Sequence, residues 1–126
     1  MIKKLLGIIV VSMLWCNVSL SGDVTYELYK VPKDAEASQV MDLYVDGLLQ
    51  GIRWANASAQ SKNKDTKNFE RPFCPPEKLV LEVANAKTII DQTAKVMSKG
   101  ISETELNNTP LVQLLLVGLT KTFPCK

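Results

Sequence analysis

The chain of 126 residues contains no histidine. Without it, the Ser-His-Asp and Cys-His arrangements lose the base that activates their nucleophile. The His-based zinc sites are excluded as well. Cysteine is almost as scarce, at three residues: Cys16, Cys74 and Cys125. The six glycines are isolated, and neither a G-x-x-x-x-G-K nor a G-x-G-x-x-G phosphate loop occurs. The spacing of an EF-hand calcium loop is missing too. The thirteen carboxylates stand singly among lysines, with no pair spaced for a shared acid–base cleft. Neither catalysis nor a bound cofactor or metal is therefore expected, and the cysteines become the residues to explain.

A charge excess of one sign is also lacking once the N-terminus is set apart. Lys3-Lys4 precede the apolar "LLGIIVVSMLW" and the polar "CNVSLSG". That order gives a basic n-region, an apolar h-region and a small-x-small site at Ser19-x-Ser21, so residues 1–21 read as a secretory signal cleaved near Ser21. The apolar run falls well short of the ~20 residues of a membrane-spanning helix, which disfavours an uncleaved anchor. Bulky Leu14 and Trp15 disfavour the third option, a lipidated Cys16. With Lys3 and Lys4 gone, thirteen basic residues balance thirteen acidic ones. A neutral chain without a Lys/Arg cluster has no electrostatic case for nucleic acid or an acidic membrane surface.

Cleavage leaves Cys74 and Cys125, an even pair in an exported domain of modest size, which is the signature of a disulfide. Closing a loop of about fifty residues is worth about 4 kcal/mol on the chain-entropy model. That is a large share of the about 5–15 kcal/mol that stabilises an ordinary domain.

The remaining chain, 22–126, reads as one all-α domain, a small helical bundle of four to five helices with one disulfide. "DVTYELYKVPKD" is expected as an extended or irregular lead ended by Pro32. The next stretch has a helical period: Val40, Tyr44, Leu48, Ile52 and Ala55 form one stripe, with Met41, Val45 and Leu49 beside it. Asp34 or Ser38 is placed to cap it. Gly47 and Gly51, four residues apart, each cost a helix about 1 kcal/mol against alanine. Close backbone packing inside the domain is the preferred explanation, ahead of a homodimer seam. "SKNKDTKNFERP" follows as an exposed basic loop, after which Phe73-Cys74 re-enters the core.

A further helix is expected to start near Pro76 or a few residues later. Val83, Ala86, Ile90, Ala94 and Met97 would be buried, Lys87, Asp91, Lys95 and Lys99 solvated, and Gly100 the stop. Ser102 and Glu105 are spaced as a capping box for one short turn. The last helix is expected with Thr109 as N-cap and Pro110 at its first position. Its "LVQLLLVGLTKTF" reads as buried nearly all round. Pro124 breaks it and Cys125 follows, so a disulfide would tie its end to the entrance of the preceding helix.

"RPFCPP" before one helix, the "TP"-opened leucine-rich final helix and the terminal "FPC" resemble the Rap/Tai family. These are periplasmic immunity proteins against type VI secreted peptidoglycan amidases. The resemblance covers about residues 40–125, and its most specific part is Phe73-Cys74 with Phe123-Pro124-Cys125. It implies an all-helical fold, a Cys74–Cys125 disulfide, usually a homodimer, and a periplasmic, non-catalytic protein that plugs the amidase's Cys-His cleft. Family members often place a polar, turn-like segment after the first of these cysteines, where this chain has the more apolar "PPEKLVLEV".

An inhibitor needs a rigid scaffold with a protruding segment. Two segments qualify: the basic loop Ser61–Glu70, with Lys62, Lys64, Lys67 and Phe69, and the link Ser98–Thr109, with Glu103, Glu105 and Asn107. Phe69 is either a partner anchor or packed against Phe73. The competing expectation is a small periplasmic acid-stress chaperone. Lacking histidine, its dimer would have to be released by carboxylates such as Asp42, Asp46 or Glu82.

Overall fold

A computed structural model describes residues 23–31, 34–62 and 71–126. The expected signal, Cys16 included, lies outside them. The described chain is helical: α1 Tyr26–Lys30, α2 Ala35–Lys62, α3 Val83–Met97, α4 Glu103–Asn107 and α5 Leu111–Thr122. No helix among the described residues is long and apolar enough to cross a membrane. The expected all-α bundle is what is found.

The core is assembled from α2, α3 and α5 with the segment between α2 and α3. Val45 and Leu49 come from α2, Phe73 and Leu81 from the segment, Ala86, Ile90 and Ala94 from α3, and Leu111, Leu114, Leu115 and Leu119 from α5. The buried stripe of α2 is therefore centred on Val45 and Leu49, not on the expected Val40–Tyr44–Leu48 line. Val40 is 63% exposed and Ala55 is exposed, because α3 and α5 lie one residue round the helix from that line. Asp34 caps α2: its Oδ1 accepts the Ala37 N–H at 2.8 Å. The helix also runs on through Lys62, so the expected loop loses its first residues to α2.

Gly118 carries the close packing that Gly47 and Gly51 were expected to carry. A methyl group built on Gly118 would overlap Ile89 Cγ2 and Thr93 Oγ1 and stand 3.3 Å from the Ile89 carbonyl oxygen. The absence of a side chain there lets α5 press onto α3. At Gly47 and Gly51 the same methyl would meet nothing within 4 Å.

Four further expectations are corrected. The lead is not irregular throughout: Tyr26–Lys30 makes a helical turn, stacked Tyr26–Tyr29 at 5.9 Å. Antiparallel bonds pin its start to the opening of α5, Tyr26 N–H to Thr109 O at 2.9 Å and Leu111 N–H to Val24 O at 2.8 Å. α3 begins only at Val83. Pro75 and Pro76 lack N–H groups, a turn closes from Leu79 N–H to Pro76 O at 3.0 Å, and Asn85 Oδ1 accepts the Glu82 N–H at 2.9 Å. Pro110, not Thr109, is the N-cap of α5; the Thr109 hydroxyl donates back to Glu105 O at 2.8 Å instead. Finally, α5 is buried on one face only, with Val112 and Leu116 37% and 38% exposed.

Candidate interaction surface

Cys74 and Cys125 form the disulfide, with Cα atoms 5.0 Å apart across 51 residues of sequence. Phe73 reaches the core beside it, 1% exposed, and its N–H points at Asn56 Oδ1 on α2, 3.4 Å away. The Cys74 N–H donates to Phe123 O at 2.7 Å. Three elements thus converge on one point: the C-terminal half of α2, the segment after Arg71, and the end of α5. Proline on both sides of the junction limits backbone freedom further.

Beside this junction lies an open groove of about 560 Å³, with Asn56 and Phe73 among its lining residues. One wall is α2, through Gln50, Arg53, Trp54 and Ala57; the other is the Arg71–Leu81 segment, through Arg71, Pro75, Pro76 and Glu77. Trp54 is 75% exposed on the rim. Arg53 is exposed on this wall, and its guanidinium is a planar fork suited to carboxylates. The chemistry on offer is recognition: a cationic donor beside an indole face and proline rings. Sequence reading did not select Arg53 or Trp54. Their signal was available only as an aromatic and an arginine left off the apolar stripe of α2.

Of the partner-facing residues expected from sequence, Lys62 is the last residue of α2. Lys64, Lys67 and Phe69 lie outside the described residues. Glu103, Glu105 and Asn107 form α4 and lie elsewhere. α4 sits at the start of α5, next to α1, whereas the disulfide groove sits at its end; twelve residues of helix separate the two. The link Ser98–Thr109 is therefore remote from this groove. Glu105 is moreover occupied within its own turn: its Oε2 accepts the Ser102 N–H and hydroxyl, each at 2.9 Å, and its N–H donates to Ser102 Oγ at 3.2 Å. The expected capping box is present, and these bonds hold the Glu105 carboxyl below its ordinary value. Asn107 Oδ1 is buried and has no hydrogen-bond partner among the described residues.

A second polar cluster links α1, α2 and α3. Lys87 Nζ meets Asp42 Oδ1 at 2.8 Å, both side chains part-exposed. The Tyr29 hydroxyl faces Asp91; burial first and that carboxylate second raise its pKa. Lys87 is thus paired rather than simply solvated. Among the described residues no three His, Cys, Asp or Glu side chains gather as a metal site would require.

Compared with family models, characterised proteins and solved structures, the chain shows no match.

Proposed function

We propose that the protein is a periplasmic immunity protein that binds a type VI secreted peptidoglycan amidase and occludes its active site. The observation that carries this reading is the junction at Cys74 and Cys125. The "RPFCPP" and "FPC" pieces, on which the resemblance to the Rap/Tai family rests, are one covalent unit. Arg71, Phe73, Pro75 and Pro76 of the first piece line the groove between α2 and the Arg71–Leu81 segment. A wall held by a disulfide and prolines is ordered before binding, so little entropy remains to be lost when a partner docks. Arg53 offers charge-assisted donors, and Trp54 offers a large, rigid apolar anchor. Inhibition in this reading is steric and needs no catalysis by the chain.

The test is peptidoglycan digestion by the cognate amidase, one with a papain-like Cys-His pair, in the presence of the oxidised protein. One equivalent is expected to abolish digestion, and Arg53→Glu to weaken inhibition at least tenfold with the helical spectrum unchanged. Full digestion at large excess of the protein would overturn the reading. A small periplasmic acid-stress chaperone is the second reading, favoured by the Lys87–Asp42 ion pair, a charge contact that joins α3 to α2. It calls for suppression of unrelated aggregation at about pH 3 and none at neutral pH.

A further inference from the structure

Two donors on the α2 wall of the groove are left unused by the bonds inside the domain. Arg53 is exposed there and forms no ion pair among the described residues. Asn56 lines the same groove although it is only 6% exposed. Its Oδ1 is taken by the Phe73 N–H, and no described residue accepts from its Nδ2. What Asn56 has left for an occupant is therefore an amide donor. The two residues stand three apart on α2, which puts their Cβ atoms about 5–6 Å from each other. One group can meet both.

We infer that Arg53 and Asn56 form a cradle for one carboxylate, filled by an aspartate or glutamate side chain from an extended segment of the protein partner. Charge complementarity selects that group. A guanidinium fork beside an amide donor matches an anion with two oxygens, and such charge-assisted bonds are about twice as strong as neutral ones. The surroundings select a peptide over a free small anion. Trp54 is 75% exposed and Leu79 40% exposed, and both line the groove with Pro75 and Pro76. Residues two apart in an extended chain point the same way. An acidic residue seated on Arg53 and Asn56 thus brings the residue two positions on against the same wall, where Trp54 favours an apolar side chain. The opposite wall carries the exposed carboxylate of Glu77, which repels a second negative charge. A polyanion is excluded, and the occupant carries a single acid among apolar residues. The groove's volume of about 560 Å³ suits a few residues of extended chain at about 3.4 Å each. The identity of the protein that carries the segment rests on the amidase reading; the cradle itself does not.

Trp54 is the only tryptophan in residues 22–126, so its fluorescence reports the groove alone. The oxidised protein, produced as residues 22–126, is titrated with the capped pentapeptide Leu-Ala-Asp-Ala-Leu, whose acid has an apolar residue two positions away on either side. A dissociation constant of about 1 mM is expected. Asparagine in place of the aspartate should weaken binding at least tenfold, and so should two further aspartates in place of the leucines. Arg53→Gln, an exposed change, should abolish the difference between the aspartate and asparagine peptides while the melting temperature holds. In nitrogen-15 NMR the Asn56 side-chain amide should shift with the aspartate peptide. Equal affinity for the aspartate and asparagine peptides would overturn the cradle, as would an unmoved Asn56 amide or discrimination that survives Arg53→Gln. Acetate displacing the peptide at equal concentration would overturn the extended segment as occupant. Peptide binding by a protein that fails to inhibit the amidase would uphold the cradle and sink the amidase reading; inhibition without peptide binding would do the reverse.

Discussion

Replacing Gly118 by alanine adds one methyl group, and the structure fixes the sign of its effect. The new Cβ would overlap Ile89 Cγ2 and Thr93 Oγ1, with the Ile89 carbonyl oxygen 3.3 Å away. Ile89 is β-branched and stiff on its helix, so it yields only by moving backbone. Thr93 yields only by turning its hydroxyl away from Ile89 O, where it now donates at 2.7 Å in a buried setting. Overpacking of this kind costs about 1–3 kcal/mol, and the lost hydrogen bond about 1 kcal/mol more. Alanine returns about 1 kcal/mol of helix propensity. The net is a loss of about 2 kcal/mol, or a melting temperature lower by about 10 °C for a domain of this size. The same change at Gly47 or Gly51 meets no atom within 4 Å. There it should stabilise the domain by up to about 1 kcal/mol per site. Circular dichroism melts of the three variants at low micromolar concentration or below give the comparison. A neutral or stabilising Gly118→Ala would refute the claim that α5 presses onto α3 at that residue.

Replacing Cys74 and Cys125 by serine together should cost about 4 kcal/mol in denaturant unfolding and sharply lower the yield of folded protein; an unchanged midpoint would speak against the bond. Glu105 has its carboxyl held below its ordinary value of 4.5 by the Ser102 N–H and then the Ser102 hydroxyl. Its contribution is present above that value and disappears as pH falls through the lowered pKa, so Glu105→Gln should flatten the acid limb of the stability profile there. Tyr29 has the opposite sign: its pKa is raised above 10.0, mainly by burial. Its contribution is present below that value and is lost as pH rises through the raised pKa. Phenolate absorbance should show the Tyr29→Phe variant lacking one late-titrating tyrosine; a group missing from the ordinary range would contradict the packing of α1.

Local chemistry was legible in the chain, and neighbours across the fold were not. The Ser102–Glu105 box involves residues three apart, so its spacing was sufficient; the cap of α2 was narrowed only to Asp34 or Ser38, and the Ala37 N–H bond selects Asp34. The two cysteines could be paired by elimination, since reading residues 1–21 as a signal left only those two. The start of α3 was misplaced because "LVLEV" is apolar enough for a helix; the features that delay it are two adjacent prolines and the Glu82–Asn85 exchange. The glycines show the limit most clearly. Gly47, Gly51 and Gly118 are the same residue in helical settings, and only the position of Ile89 and Thr93 separates the one that packs from the two that do not. The groove was missed for a like reason: Arg53 and Trp54 on one helix meet Arg71 and Pro75 only after the disulfide has folded the segment back.

Occlusion itself is tested most directly at the amidase's catalytic cysteine. In the complex with the oxidised protein, that thiol should resist alkylation by iodoacetamide, and Arg53→Glu should restore its reactivity. A bound amidase whose cysteine is alkylated as fast as in the free enzyme would contradict occlusion.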